Sequence, residues 1–244
     1  MKITRRVAAC VAVTGLLVLS AAFGLVVALG TIRTHYVFTA VPVRQPVIAL
    51  TFDDGPHPEY TPRMLDDLEV RDVVATFFVV GEEAEKCPAV LERIVAAGHE
   101  VGNHTYTHDH VELLDGDAFV AEISACDAVI SCVTGADCTW YRPPRGRLPL
   151  TQEWSVVGSG KRIAGWTQCL EASAYRDPLV LADALVPGDI VLVHDGRLDR
   201  SKSADMLPVF LDAAIERGFR FVTLSELDSM RVVRPTMSVM LGHP

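Results

Sequence analysis

Along residues 47–224 short apolar runs alternate with stretches in which apolar side chains recur every three or four positions. Runs of four to eight residues bounded by turn formers read as buried strands, here 47–52, 76–80, 100–104, 139–142, 162–166, 189–194 and 219–224. The stretches between them read as helices. Residues 61–70 open on Thr61-Pro62, 88–97 stop at Gly98, and 116–133 carry apolar residues at helical spacing. Residues 178–186 and 204–217 show similar signals, the second ended by Gly218. Strand–helix alternation predicts an α/β fold with a mainly parallel sheet, and about seven such units suggest a closed or nearly closed barrel. Active sites of such barrels lie at the C-terminal ends of the strands. Histidines and paired carboxylates of this chain fall at or just after those ends.

The first thirty residues follow another pattern. A basic head with Lys2, Arg5 and Arg6 precedes an uncharged apolar stretch over 7–30. At about 24 residues it is long enough to span a bilayer, whereas the apolar part of a cleavable signal runs to about 7–15. An uncleaved single-pass anchor is expected, with the basic end cytoplasmic and the rest of the chain outside. Ser20, Ala21 and Ala22 leave cleavage, and hence secretion, as the alternative. The division that follows is a head and anchor over 1–33, a tether over 34–45, a domain over 46–227 and a tail over 228–244.

Charge narrows the partners. Beyond residue 30 the chain holds 19 basic against 31 acidic residues, a net of about −12, and a surface so acidic disfavours nucleic acid, which rewards clustered Lys and Arg. Five of the six cysteines (Cys87, Cys126, Cys132, Cys138 and Cys169) lie outside the anchor, where disulfides are permitted. Five is odd, and Cys126, Cys132 and Cys138 are the expected place for a local bridge. No spacing matches a CxxC zinc pattern, so the cysteines read as structural.

Four segments carry candidate chemistry. Thr51-Phe52-Asp53-Asp54-Gly55-Pro56-His57 sends two adjacent carboxylates from a strand into a turn. Strand neighbours point opposite ways, but a turn can bring both to one site; ordinary turn chemistry is the other reading. His104-Thr105-Tyr106-Thr107-His108 places two imidazoles four apart, so that one face of a helix or helical turn could present both to a divalent metal. Surface histidine pairs also occur, and His110 stands nearby. With an aspartate the pair would form a two-histidine, one-carboxylate site with open positions. Arg142-Pro143-Pro144-Arg145-Gly146 and Leu192-Val193-His194-Asp195 complete the set. His194, leaving a buried strand, suits a general acid; a packed or capping histidine is the plainer reading.

In this order and spacing the four segments resemble the polysaccharide deacetylase family, the carbohydrate esterases with the NodB-homology domain, over about 46–227. The resemblance implies a distorted (β/α) barrel that binds Zn2+ or, alternatively, Co2+, and removes N- or O-acetyl groups from an extracellular glycan. It casts Asp53 as catalytic base and Asp54, His104 and His108 as metal ligands. Arg142 would orient Asp53, His194 would be the general acid, and Leu192 would line the pocket for the acetyl methyl. The backbone N–H of Arg145 would face the oxyanion, and Trp166 would contribute to substrate binding.

Two departures from the family pattern stand out. Arg145 occupies a position that is often aromatic, which suggests an anionic glycan. After Trp166 the usual Asp-Trp pair gives way to Thr167-Gln168-Cys169-Leu170-Glu171-Ala172, with Glu171 a partial replacement for the aspartate. That loss motivates a second reading, a weak or inactive glycan-binding pseudoenzyme. A third, a hydrolase of the same barrel acting on another C–N bond, more usually lacks an anchor.

Overall fold

The computed structural model describes residues 37–172 and 177–232, together with Ser20. Its strands are β1 (Val37–Phe38), β2 (Val47–Asp53), β3 (Thr76–Val79), β4 (Glu100–Asn103), β5 (Trp140–Tyr141), β6 (Arg162–Ala164), β7 (Gln168–Cys169), β8 (Ile190–His194) and β9 (Arg220–Val222). The helices are α1 (Tyr60–Glu69), α2 (Gly81–Lys86), α3 (Pro88–Ala96), α4 (Gly116–Thr134), α5 (Leu150–Gly158), α6 (Pro178–Ala184), α7 (Ser201–Glu216) and α8 (Leu224–Ser229). Strand order is β1-β6-β5-β4-β3-β2-β8-β7, with β9 also pairing β2. From β2 outward the pairings β2–β3, β3–β4, β4–β5, β5–β6, β2–β8, β7–β8 and β2–β9 are all parallel. This curled parallel sheet flanked by helices is the predicted α/β barrel-like class, with two short strands, β1 and β7, beyond those expected.

Every residue of β2 is buried, as a strand covered on both faces must be. Alternation sorts its side chains. Ile48, Leu50 and Phe52 enter the core under the helices, where Phe52 stacks on Phe77 at 4.5 Å between centroids. Val47 and Ala49 face inward with Phe78, Trp140, Ile190 and Val222. The inner row continues through Thr51 to Asp53, so an apolar base gives way to chemistry at the strand's C-terminal end. β8 repeats the plan: Val191 and Val193 face the helices, while Leu192 and His194 lie beside Thr51 and Asp53 in register.

The helices follow their sequence signals. In α4 the Asp115 side chain accepts the Ala118 N–H at 2.9 Å, Phe119, Ile123, Cys126 and Ile130 form the buried stripe, and Gly135 ends the helix at φ 68°. Three helices were not expected. Helices α2 and α5 fill connections left blank, and α8 begins where a strand was expected to end. Thr223 caps it, with Glu226 completing a capping box, and Thr-x-x-Glu is the signature that could have announced it.

Further expectations are corrected or lie elsewhere. The five cysteines are free thiols. Cys126 is buried on α4 while Cys132, six residues on, is exposed; at about 100° per residue the two point about 120° apart. Cys126 and Cys138 instead donate to the carbonyls of Val79 and Trp140. Within the stretch expected to be a tether, Phe38 packs edge-on against Trp140 and accepts the Gly165 N–H at 2.6 Å. Among the described residues no helix is long and apolar enough to cross a membrane; apart from Ser20, the segment 7–30 expected to anchor the chain lies outside them.

Candidate active site

Eight of the nine residues singled out from the sequence line one pocket of about 280 Å3 at the C-terminal end of the sheet: Asp53, Asp54, His104, His108, Arg145, Trp166, Leu192 and His194. The ninth, Arg142, lies behind it and is fully buried. Cys169 joins the lining as a residue the sequence reading left structural.

Strand alternation alone would send Asp53 and Asp54 to opposite faces. Asp54 escapes through φ 77°, a left-handed conformation uncommon outside glycine, which turns its carboxylate back beside Asp53. The Arg142 guanidinium donates to Asp53 Oδ1 and Thr51 Oγ1, each at 2.8 Å, and to the Gly165 carbonyl at 2.8 Å. It also lies 4.2 Å from the Phe78 ring centroid. Burial pulls the Arg142 pKa down from its ordinary value, and the Asp53 charge opposes that pull.

His104 and His108 meet without the expected helical turn. The chain leaves β4 as a loop in which Thr105 and His108 have φ of 70° and 61°. Asn103 Oδ1 accepts the Thr105 N–H, and Glu122 on α4 accepts from Tyr106 N, Thr107 N and Thr107 Oγ1 at 2.9–3.0 Å. Asn103 and Glu122 thus pin the loop, and neither was singled out from the sequence. His104 Nδ1 donates to the Arg142 carbonyl at 2.7 Å, which leaves Nε2 to face Asp54 in the pocket.

Asp54 Oδ1 lies 3.1 Å from His108 Nε2 and 3.6 Å from His104 Nε2. All three donor atoms fall within 4.8 Å of one another. Burial alone would raise the Asp54 carboxyl, but the two imidazoles hold it well below the usual carboxylate range. Burial lowers the His108 pKa despite Asp54. Two imidazole nitrogens and an ionised carboxylate oxygen converging on one point fit a divalent cation. Arg200, at the start of α7, donates to Asp54 Oδ2 at 2.6 Å, which leaves Oδ1 for that point. Gly196 lets this segment pass close, since a Cβ there would lie 2.1 Å from the Asp54 carbonyl oxygen.

On the opposite wall β7 pairs with β8, Cys169 beside Leu192, and brings Glu171 to His194. Glu171 Oε1 accepts the His194 backbone N–H at 2.9 Å and the Ser203 hydroxyl at 2.7 Å; its Oε2 lies 3.4 Å from His194 Nδ1. Burial opposes ionisation of Glu171, but His194 holds it down to about 2. Burial likewise opposes the His194 charge, yet Glu171 and Asp53 raise its pKa above the ordinary histidine value. Behind the pocket Asp195 accepts from Thr61 Oγ1 at 2.6 Å, and burial pushes its carboxyl up to about 7. Arg145, with φ 58°, sits at the rim, where Nη1 donates to the Asp109 carbonyl at 3.3 Å and lies 3.8 Å from Glu112. Burial and Glu171 push the Cys169 thiol up to about 12.

A curled parallel sheet whose strand ends gather two aspartates, three histidines and a buried arginine defines a hydrolase-like site, and comparison with known proteins gives the class. The family model described as polysaccharide deacetylase matches residues 40–157. A peptidoglycan-N-acetylglucosamine deacetylase of Bacillus cereus is 32% identical over 210 residues, 80% of this chain and 93% of the relative. Among solved structures, a peptidoglycan N-acetylglucosamine deacetylase in complex with 4-naphthalen-1-yl-N-oxidanyl-benzamide superposes with a TM-score of 0.74 at 29% identity, covering 84% of this chain and 98% of that one. A pseudoenzyme of carbohydrate esterase family 4 from Bacillus anthracis is also similar, with a TM-score of 0.71, 27% identity, and coverage of 80% and 70%. The chain belongs to the polysaccharide deacetylase family and is by class a hydrolase of that family.

Proposed function

We propose that this protein removes acetyl groups from N-acetylated sugars of a cell-wall polysaccharide, peptidoglycan first, outside the cell, and that it depends on a divalent cation. The observation that carries the reading is the single pocket shared by a three-donor set, an aspartate paired with a buried arginine, and a histidine paired with a carboxylate. The catalytic domain is assigned to 46–227, with 34–45 before it and 228–244 after it. Segment 7–30 would hold the domain at the outer face of the membrane, or release it if cleaved.

Asp54, His104 and His108 would hold the cation, Zn2+ in preference to Co2+. Once bound, such a cation supplies Lewis-acid polarisation of the acetyl carbonyl and lowers the pKa of water. Arg142 fixes Asp53 Oδ1, which leaves Oδ2, 3.7 Å from His104 Nε2, to take a proton from water. The water oxygen bonds to the acetyl carbon, and the backbone N–H of Arg145 would face the oxygen that gains charge. His194, held through Nδ1 by Glu171, gives its proton to the sugar nitrogen as the C–N bond breaks, and acetate leaves. Leu192 would receive the acetyl methyl, and Trp166 would form a wall for the sugar.

The test is acetate release from acetylated glycans, peptidoglycan among them, by the full chain with zinc or cobalt. Asp53→Asn should lower the rate by about 10²–10⁴-fold while retaining the metal. No release from metal-loaded protein on any glycan would refute the enzyme reading in favour of a glycan-binding pseudoenzyme.

Arg145 bears on the glycan. Its guanidinium stands at the rim of the pocket, about one third exposed. Arg145→Ala should lower activity on glycans bearing carboxylates or phosphates more than on neutral ones. An unchanged ratio of the two activities would remove the preference for an anionic substrate.

A further inference from the structure

We propose that Cys169, Glu171 and His194 form a second site for a borderline-soft divalent cation, zinc or cadmium, whose occupation inhibits the enzyme. The inhibitory part rests on His194 acting as the proton donor; the binding part does not.

The donors come from different elements, which is why no sequence spacing announced them. Cys169 ends β7, Glu171 lies in the turn after it, and His194 ends β8. One donor atom from each residue lies within 4.8 Å of the other two. Cys169 Sγ is 3.3 Å from Glu171 Oε2, and His194 Nδ1 is 3.4 Å from it. Tetrahedral zinc with bonds of about 2.0–2.3 Å has ligand–ligand edges of about 3.3–3.6 Å, so both separations already match the coordinated geometry. The 3.4 Å contact is long for a charge-assisted N–H···O bond, which runs to about 2.7–2.9 Å.

The supporting contacts of a metal site are also present. Glu171 Oε1 is fixed by Ser203 Oγ and the His194 backbone N–H, so Oε2 is the oxygen left for a cation. All three residues are partly buried, and the active-site pocket, lined by both Cys169 and His194, gives an entry path. Three protein donors leave a fourth position for water.

Binding would form S–M, O–M and N–M bonds and release the thiol proton, and any proton on Nδ1, to the buffer. His194 would keep one proton on Nε2. It would then be neutral and tied to the cation, so it could no longer pass a proton to the leaving amine. Without a cation the same atoms form ordinary hydrogen bonds, with the thiol and the imidazole N–H both donating to Oε2. The two readings differ in what a thiophilic metal does to them.

Cadmium is titrated into the full-length protein, following the ultraviolet thiolate-to-cadmium charge-transfer band and the equivalents bound. Zinc is titrated in parallel against acetate release. The expected result is a second equivalent whose band persists in His108→Ala, Cys87→Ser and Cys132→Ser but vanishes in Cys169→Ser. Inhibition by excess zinc should need at least about tenfold more zinc in Cys169→Ser, since loss of a supporting residue alone costs that much. A single equivalent in wild type, or a band unchanged in Cys169→Ser, overturns the site. A second equivalent that leaves acetate release unaltered overturns the inhibition and His194 as proton donor together. Two equivalents bound by a protein inactive on every glycan would sink the deacetylase reading while leaving this site standing.

Discussion

His194 shows how one neighbour sets the working range of a site. Burial favours its neutral form, while the Glu171 carboxylate and, further off, Asp53 and Asp54 favour the charged form, and the balance lies above the ordinary histidine value. A proton donor must start protonated, so the rate should fall as pH rises through the His194 pKa. Glu171→Gln removes the largest upward contribution and leaves burial in place. The alkaline limb of the kcat profile should therefore move to lower pH, with kcat reduced even at the new optimum. A limb that stays put would mean that His194 is not the titrating acid. At this scale the sequence was informative about which residue types gather, and Glu171 was picked out as a stand-in for the family's aspartate. It was silent on Arg200 and Ser203, because an arginine or serine opening a helix has many uses and only the fold shows which carboxylate it faces.

The His104–His108 loop belongs to the next scale. A helical turn was the natural expectation for two histidines four apart, yet Thr105 and His108 take left-handed conformations that local propensity does not announce. The loop holds that path because Glu122, nearly two turns into α4, accepts three of its hydrogen bonds. Glu122→Ala would leave Thr105 and His108 with unfavourable backbone angles and fewer constraints, so the loop should relax and the imidazoles separate. The expected outcome is about 10–100-fold weaker zinc binding by calorimetry, the range for loss of a supporting residue, with circular dichroism unchanged. Faster amide exchange should be confined to 104–108; affinity equal to wild type would show that Asn103 suffices as the anchor. The same distinction explains which elements were legible. β2, β3 and β8 are buried on both faces and read as apolar runs, and α4 and α7 carry long stripes. β7, with two residues, and α2 and α8, with six each, are too short for periodicity to register, and tertiary pairing decides them.

Across the whole molecule the chemistry sits on rigid elements and ends in loops. Asp53 and His194 are register partners on neighbouring central strands, and Arg142 bridges from the end of β5 to the centre of the sheet. The proposed cation donors come instead from the turn after β2 and the loop after β4, and though apart in sequence they are held together in space by Arg200, Glu122 and the Arg142 carbonyl. Without a cation these loops keep an ionised, buried Asp54 against two imidazoles, and burial discourages the His108 ring from charging, an arrangement that a cation would complete. Binding to the folded state and not to the unfolded chain stabilises by RT ln(1 + [M]/Kd), about 2.7 kcal/mol at a hundredfold excess over Kd. For a domain of this size that corresponds to a rise in Tm of about 5–10 °C. Thermal unfolding after chelation should show the loss, and readdition of zinc should restore it. Asp54→Asn should unfold at the same temperature with and without zinc at concentrations that saturate only the first site, while Asp53→Asn should keep the shift. If Asp53→Asn lost the shift and Asp54→Asn kept it, the assignment of base and ligand between the two adjacent carboxylates would be reversed.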